Sequence, residues 1–337
     1  MKYVYVLISI SCLLVSCHDD NYISKDRKDL LTTDSLTFFA GLPADMELYE
    51  NKLFINDFYG ENGLVKVVDI DNDSTLFSFI EKGVGPREYI SISNLNFFRH
   101  HDRDAIGIFD VSTKMYRAYY LDSVLLYKKE ALPFYSKRSE FPYAINQFFK
   151  INDGYMANGF LPDGKFALFD DSLTFIKYTG HYRSKPQANI PNLLHSQANL
   201  GKSRISSDQK HLVNIIFSAG VVEYYSIEQD SIEKKWEYVL HELDYKIKDG
   251  TSIKNNKVEG FISVDIANNY IYTLYSGTKY DPEAIANYGR YIYKFDLDGN
   301  LIDIFELDRD VLDIRVAGNK IYAIVLNPDP LIMIYEI

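Results

Sequence analysis

Val67-Val68-Asp69-Ile70-Asp71-Asn72-Asp73-Ser74-Thr75-Leu76-Phe77-Ser78-Phe79 reads as a strand, an acidic stop, a tight turn and a second strand. The apolar run ends on Asp69, and Asp71-Asn72-Asp73 supplies residues that tolerate a left-handed backbone. The same phrase returns as Ile108-Phe109-Asp110-Val111, Leu168-Phe169-Asp170-Asp171, Tyr224-Tyr225-Ser226-Ile227, Lys294-Phe295-Asp296-Leu297 and Ile334-Tyr335-Glu336-Ile337. The polar markers fall at 69, 110, 170, 226, 296 and 336, with gaps of 41, 60, 56, 70 and 40 and a mean near 53. A unit of that length has room for four strands and their turns, the size of one propeller blade.

Strands with period-2 patterning flank the markers. Lys52–Asn56, Gly154–Ala157, His211–Ile216, Tyr270–Leu274 and Lys320–Ile324 come before; Thr75–Phe79, Lys114–Tyr119, Leu173–Tyr178, Lys235–Val239 and Leu301–Phe305 come after. Asp163-Gly164 and Asp298-Gly299 provide further hairpin chemistry, and the recurring acid is expected to cap its turn with its side chain. Six markers predict an all-β, six-bladed propeller of four-stranded antiparallel blades. The last unit holds only Val311–Val316, Lys320–Val325 and Leu331–Glu336, so Asp34–Phe39 is expected to supply its missing outer strand and close the ring, removing two exposed edges. Seven blades is the alternative, because the longest gap contains the insertion Thr278–Arg290. No long amphipathic helix is evident. Pro282–Asn287 is expected to form a turn or two capped by Asp281, and Tyr182–Gly201 and His241–Gly260 are the other long connectors.

The N-terminus reads as an export signal. Lys2 is followed by the apolar run Tyr3–Val15, and Leu14-Val15-Ser16-Cys17 fits a lipoprotein cleavage box. The run is shorter than the roughly 20 residues a membrane span needs, and His18-Asp19-Asp20 follows it at once. Residues 1–16 are therefore expected to be a signal peptide, 17–32 an acylated Cys17 with a flexible linker, and 33–337 a single propeller domain. Cleavage would remove Lys2 and no acid, leaving 35 basic and 47 acidic side chains. That balance disfavours nucleic acid and fits a self-repelling envelope domain. Of the two cysteines, Cys12 leaves with the signal and Cys17 takes the lipid, so no disulfide is expected. The 28 Tyr and 21 Phe fit half-buried pleated surfaces.

Gly83-Val84-Gly85-Pro86-Arg87-Glu88-Tyr89 resembles the Gly-x-Gly-Pro-x-Glu-aromatic signature of TolB-like six-bladed β-propeller lipoproteins of Bacteroides-type bacteria. It stands just after the outer strand of the first blade, and the lipobox, the blade count and Asn51–Asp57 agree with it. His18-Asp19-Asp20 resembles the acidic surface-export tag of the same bacteria. The resemblance implies a propeller fold and an outer-membrane lipoprotein facing the periplasm or the cell surface; it implies little about biochemical role. Read from the residues, Gly83 and Gly85 free the backbone, Pro86 fixes its exit, and the loop carries the chain inward. Arg87 and Glu88 are then expected near the channel mouth as candidate ligand-binding residues, against the plainer role of capping their own turn.

The search for chemistry finds no catalytic signature and no metal set. Asp69–Asp73 lacks the glycine and glutamate that an EF-hand requires at its sixth and twelfth positions, which hold Ser74 and Ile80. His100-His101-Asp102 cannot converge on one face of a strand, and His181, His195, His211 and His241 are scattered. No nucleophile elbow or His-Glu-x-x-His stretch is present. No cofactor is expected, though a calcium in the channel stays open, as do carboxylates meeting across the axis from different blades. The leading functional expectation is a tethered binding or scaffolding propeller for a protein, peptide or glycan. The alternatives are a channel-site metal-dependent hydrolase or lyase acting on sugars or lactones, and an accessory or sensor component of nutrient uptake.

Overall fold

A computed structural model describes residues 26–337 apart from 38–40, 61–62, 229–230, 256–257, 280, 282–285 and 327–328. Cys17, the acidic stretch behind it and residues 282–285 of the helical turn expected at 282–287 lie outside the described residues.

Six sheets follow one another along the chain, five of four strands and one, blade 5, of four blade strands plus an added edge strand. Blade 1 is Pro43–Tyr49, Lys52–Asp57, Val65–Asp69 and Ser74–Phe79. Blade 2 runs from Ile92–His100 to Tyr135–Arg138, blade 3 from Ile145–Ile151 to Phe175–Thr179, and blade 4 from Gly201–Ile205 to Ser231–His241. Blade 5 runs from Phe261–Ala267 to Leu301–Val311. Blade 6 is Asp313–Ala317, Lys320–Val325 and Leu331–Glu336, completed by Asp34–Thr37, which pairs antiparallel with the third strand. The first strand of each blade touches the first strand of the next, all the way round to blade 1. The ring is thus six-bladed and closed by the N-terminal strand, as the sequence predicts.

The recurring acid caps its turn at four markers. Asp69 Oδ1 accepts from the amides of Asp71 and Asn72, Asp110 from Ser112 and Thr113, Asp170 from Ser172 and Thr174, and Asp296 from Asp298 and Asn300. The polar residue that ends each apolar strand is there to bind the donors that the turn leaves free.

One difference lies in the expected linker. Lys28–Leu30 is already a strand, pairing in parallel with the outer strand of blade 5. Thr32 then donates to Asp308 and Thr33 to the Ile334 carbonyl. The N-terminal segment therefore covers the exposed edges of two successive blades before it enters the ring.

Apolar and aromatic side chains fill the spaces between blades. Phe109, Tyr116, Phe148, Tyr155 and Phe169 interlock between blades 2 and 3, with Phe109 and Phe148 stacked at 4.7 Å. Phe261, Tyr275, Tyr293 and Phe295 do the same between blades 4 and 5. The long connectors Tyr182–Gly201 and His241–Gly260 carry a short helix, Asn192–Ala198, and a hairpin, Tyr245–Lys248 with Thr251–Lys254, which pack on each other through Ile190, Ala198 and Tyr245.

Candidate functional site: the axis and its two mouths

In five of the six blades the inner strand carries two polar residues two apart. They are Asp45 and Glu47, Asn94 and Asn96, Lys202 and Arg204, Ser263 and Asp265, and Asp313 and Arg315; blade 3 contributes Gln147 and Phe149. Residues two apart share a strand face, and this face looks at the axis. In blades 1, 2, 3 and 5 the inner strand is bulged just before or at the first of these positions, which re-aims the side chain.

The charged members bond across the axis. Arg315 reaches Asp45 at 2.6 Å and Asp313 at 3.3 Å; Lys202 reaches Asp45 at 2.9 Å and Asp313 at 2.7 Å. Arg204 takes Glu47 in a two-pronged bond and Asp265 at 3.0 Å. Blade 4 stands opposite blade 1 in the ring, so the Lys202–Asp45 and Arg204–Glu47 pairs close the channel along a diameter. Arg315 is 1% exposed and Asp313 1%, where a charge is tolerated only when paired.

Axial side chains also tie neighbouring blades together, joining blade 2 to 3, blade 3 to 4 and blade 5 to 6. Asn94 and Asn96 accept from the backbone amides of Phe148 and Lys150, Gln147 accepts from Ser203, and Asp265 accepts from Val316. Burial pushes the Asp45 carboxyl up, but Lys202 and Arg315 outweigh it and hold its pKa at about 2. Burial wins at Glu47, whose pKa is raised despite Arg204 and Arg315.

The plug leaves a mouth on either side. One is a cavity of about 640 Å³ among the loops that end the inner strands, lined by Glu47, Arg204, Asp208, Asp265 and Arg315 beside Tyr49 and Phe149. The other is about 380 Å³, at the start of the inner strands, lined by Asn56, Asn94, Asn146 and Gln147 with Ser91, Ser93, Phe58 and Phe217, and reaching the paired Asp45 and Lys202 of the plug. The first mouth is charged and its arginines are already engaged. The second is an amide-lined cup in which the Oδ1 of buried Asn56 has no hydrogen-bond partner, with the exposed ring of Phe58 at its edge. By strand order, the helix and hairpin of the long connectors belong to this second face.

The structure puts Arg87 and Glu88 at neither mouth. Glu88 folds back to accept from the Gly85 amide at 2.7 Å, and Arg87 lines a small cavity with Phe79, Glu81, Tyr119 and Lys129. The expectation that both approach the channel is corrected: the loop turns inward only after Tyr89, which is buried against Tyr119 and under the Arg117 guanidinium. The reason for the two glycines also changes. Neither has a positive φ; instead, a Cβ at Gly83 would overlap the Glu88 carboxylate and one at Gly85 would crowd it. Pro86 offers its carbonyl to Arg117 at 2.7 Å.

The isolated histidines have local partners: His195 meets the Tyr245 hydroxyl at 2.7 Å, His211 meets Tyr224 at 2.6 Å, and His100 stacks on Phe134. Among the described residues no three His, Cys, Asp or Glu side chains converge as a metal site, and no helix is long and apolar enough to cross a membrane. The axial residues nonetheless leave a signal in the sequence: a polar-x-polar step at the inner strand in five of the six blades.

A family model described as TolB-like 6-blade propeller-like matches residues 23–319. No curated protein matches the chain. Among solved structures, a Bacteroides fragilis protein named as an exported one superposes with TM-score 0.57 at 14% identity, covering 91% of this chain and 93% of that one. A DUF4221 family member from Bacteroides vulgatus gives 0.56 at 9% identity, with 93% and 98% covered. The β-propeller domain of Myceliophthora thermophila Cps50 (Swd1) gives 0.52 at 11%, with 91% and 99% covered. At these identities the likeness concerns the fold alone.

Proposed function

Because the chain belongs to the TolB-like six-blade propeller family, we propose that it works as a binding propeller tethered to the cell envelope by acyl chains on Cys17. Its amide-lined mouth receives a neutral polar segment of a protein, peptide or glycan partner. The observation that carries this reading is the contrast between the two ends of the axis. Carboxylates do meet across the channel, but each is already engaged by a lysine or arginine, unlike a general acid left free to reach a substrate. The opposite cup presents amides, hydroxyls and an exposed aromatic edge, and the charges it reaches, Asp45 and Lys202, are paired with each other. These are groups that pair with hydroxyls and peptide bonds and stack on a sugar ring or an apolar side chain.

Site-specific photo-crosslinking in native envelopes tests the site. A photoreactive residue in place of Phe58 or Asn146 is expected to give a discrete adduct, and one in place of Asn268, on the charged side, none. Adducts from Asn268 alone, or from none of the three, contradict the reading. The anchor is tested separately: Cys17→Ala is expected to move the protein from the membrane to the soluble fraction, because acyl chains supply the attachment.

A further inference from the structure

We propose that the side chains of Lys165 and Asn214 become joined by an amide bond, with Glu223 carrying the protons, so that blades 3 and 4 are linked covalently.

Asn214 and Glu223 are cross-strand partners in the second and third strands of blade 4. Lys165 arrives from blade 3, immediately before that blade's third strand. Lys165 Nζ bonds Glu223 Oε2, and Asn214 Nδ2 donates to the same oxygen at 3.1 Å. The amine and the carboxamide therefore meet at one carboxylate oxygen. On the far side of the amide, Ser203 Oγ donates to Asn214 Oδ1 at 2.9 Å and is itself held by Asn158 Nδ2 at 2.9 Å. That bond draws electron density from the Asn214 amide carbon and is placed to receive the oxyanion that forms there. All four groups are shielded from solvent: Lys165 is 3% exposed, Ser203 1%, Asn214 2% and Glu223 0%.

Burial favours the chemistry. A lysine ammonium and a carboxylate are both costly to desolvate, and burial holds the Lys165 pKa below its ordinary value despite the attraction of Glu223. Passing a proton from Nζ to the carboxylate leaves two neutral groups and a free lone pair on nitrogen. Glu223 Oε1 has no hydrogen-bond partner and is free to take part in the relay.

In the step itself, Nζ attacks Asn214 Cγ and a carbon–nitrogen bond forms. The Cγ–Nδ2 bond then breaks. The lysine nitrogen gives up two protons through Glu223, and the departing nitrogen takes both and leaves as ammonium. Glu223 ends as it began, and no oxidant or cofactor enters. The product staples two blades in a chain whose cysteines are Cys12 and Cys17 only, so no disulfide can do the same within the propeller.

The test is peptide mapping by mass spectrometry on the full chain after denaturation and digestion. The expected result is a branched peptide carrying both residues, lighter by one ammonia, about 17 Da, than its two parts. Separate, unmodified peptides containing Lys165 and Asn214 from the wild-type protein overturn the proposal outright, whether or not any variant folds. Glu223→Gln is expected to return the two peptides to separate, unmodified form; a branched peptide that persists in this variant overturns the role given to Glu223.

Discussion

The interior of this propeller is made of two materials. Between blades it is apolar and aromatic, as where Phe109, Tyr116, Phe148 and Tyr155 interlock. Along the axis it is charged, with Asp45, Glu47, Lys202, Arg204, Asp265, Asp313 and Arg315 sharing one network. The two respond differently to loss. An apolar layer loses contacts in proportion to the atoms removed. An axial charge that loses its partner leaves another charge buried and uncompensated.

The largest expected effect breaks the axis. Arg315→Met removes one of the two cations that Asp45 and Asp313 share and leaves Lys202 alone to hold both, and destabilisation of about 3 kcal/mol is expected from undercompensating buried acids. Urea unfolding read at the midpoint measures it. A change below about 1 kcal/mol would mean that the axis is hydrated well enough to do without its cation.

Acid comes next. The Asp45 pKa is about 2 in the folded protein, below its ordinary value of 3.8. A depressed folded pKa gives stability that is present above the unfolded value and lost as pH falls through the folded one. Asp45 is thus expected to withdraw about 2 kcal/mol between roughly pH 4 and pH 2. Glu47 is shifted the other way, so its contribution is fully present below its unfolded pKa and declines as pH rises through the folded one; it is therefore flat across the window in which Asp45 titrates. Unfolding curves across that window should fall less steeply in Asp45→Asn than in the wild type; equal slopes would remove Asp45 from the account.

The apolar layer provides the smaller contrast. Ile292 is fully buried between blades 5 and 6, and Ile292→Val is expected to cost about 0.5–1.5 kcal/mol, seen as a modest midpoint shift with an unchanged m-value. Smallest is the rim clasp. Glu88→Ala removes the acceptor of the Gly85 amide and is expected to cost about 1 kcal/mol. Gly83→Ala should cost about the same, because its Cβ evicts that carboxylate. The double variant should then be no worse than either single one; additive losses would show that Gly83 serves another purpose.

The sequence announced the apolar layer and the turns far better than the axis. Strand patterning and the acids Asp69, Asp110, Asp170 and Asp296 act within a few residues of themselves, so periodicity and turn chemistry expose them. Closure by Asp34–Thr37 was legible because blade 6 lacked a strand. The insertion 278–290, which kept seven blades open, proved to lie inside blade 5, between its second and third strands. The axial pairs are different. Arg204 finds Glu47 157 residues away and Arg315 finds Asp45 270 away, and only the closed ring brings them together. Gly83 and Gly85 were read as flexible because spacing reports residue type and says nothing of the carboxylate that fills the space beside them. Lys28–Leu30 was read as linker because a three-residue strand added in parallel at an edge has no periodicity to reveal it.

The most direct test of the charged axis is a double-mutant cycle on Glu47 and Arg204, which stand in opposite blades. Equilibrium unfolding of Glu47→Gln, Arg204→Met and the double variant gives their coupling. The account predicts at least about 1.5 kcal/mol of interaction, as expected for close pairs removed from water. Effects that add to within about 0.5 kcal/mol would contradict it and leave the two sides of the ring independent.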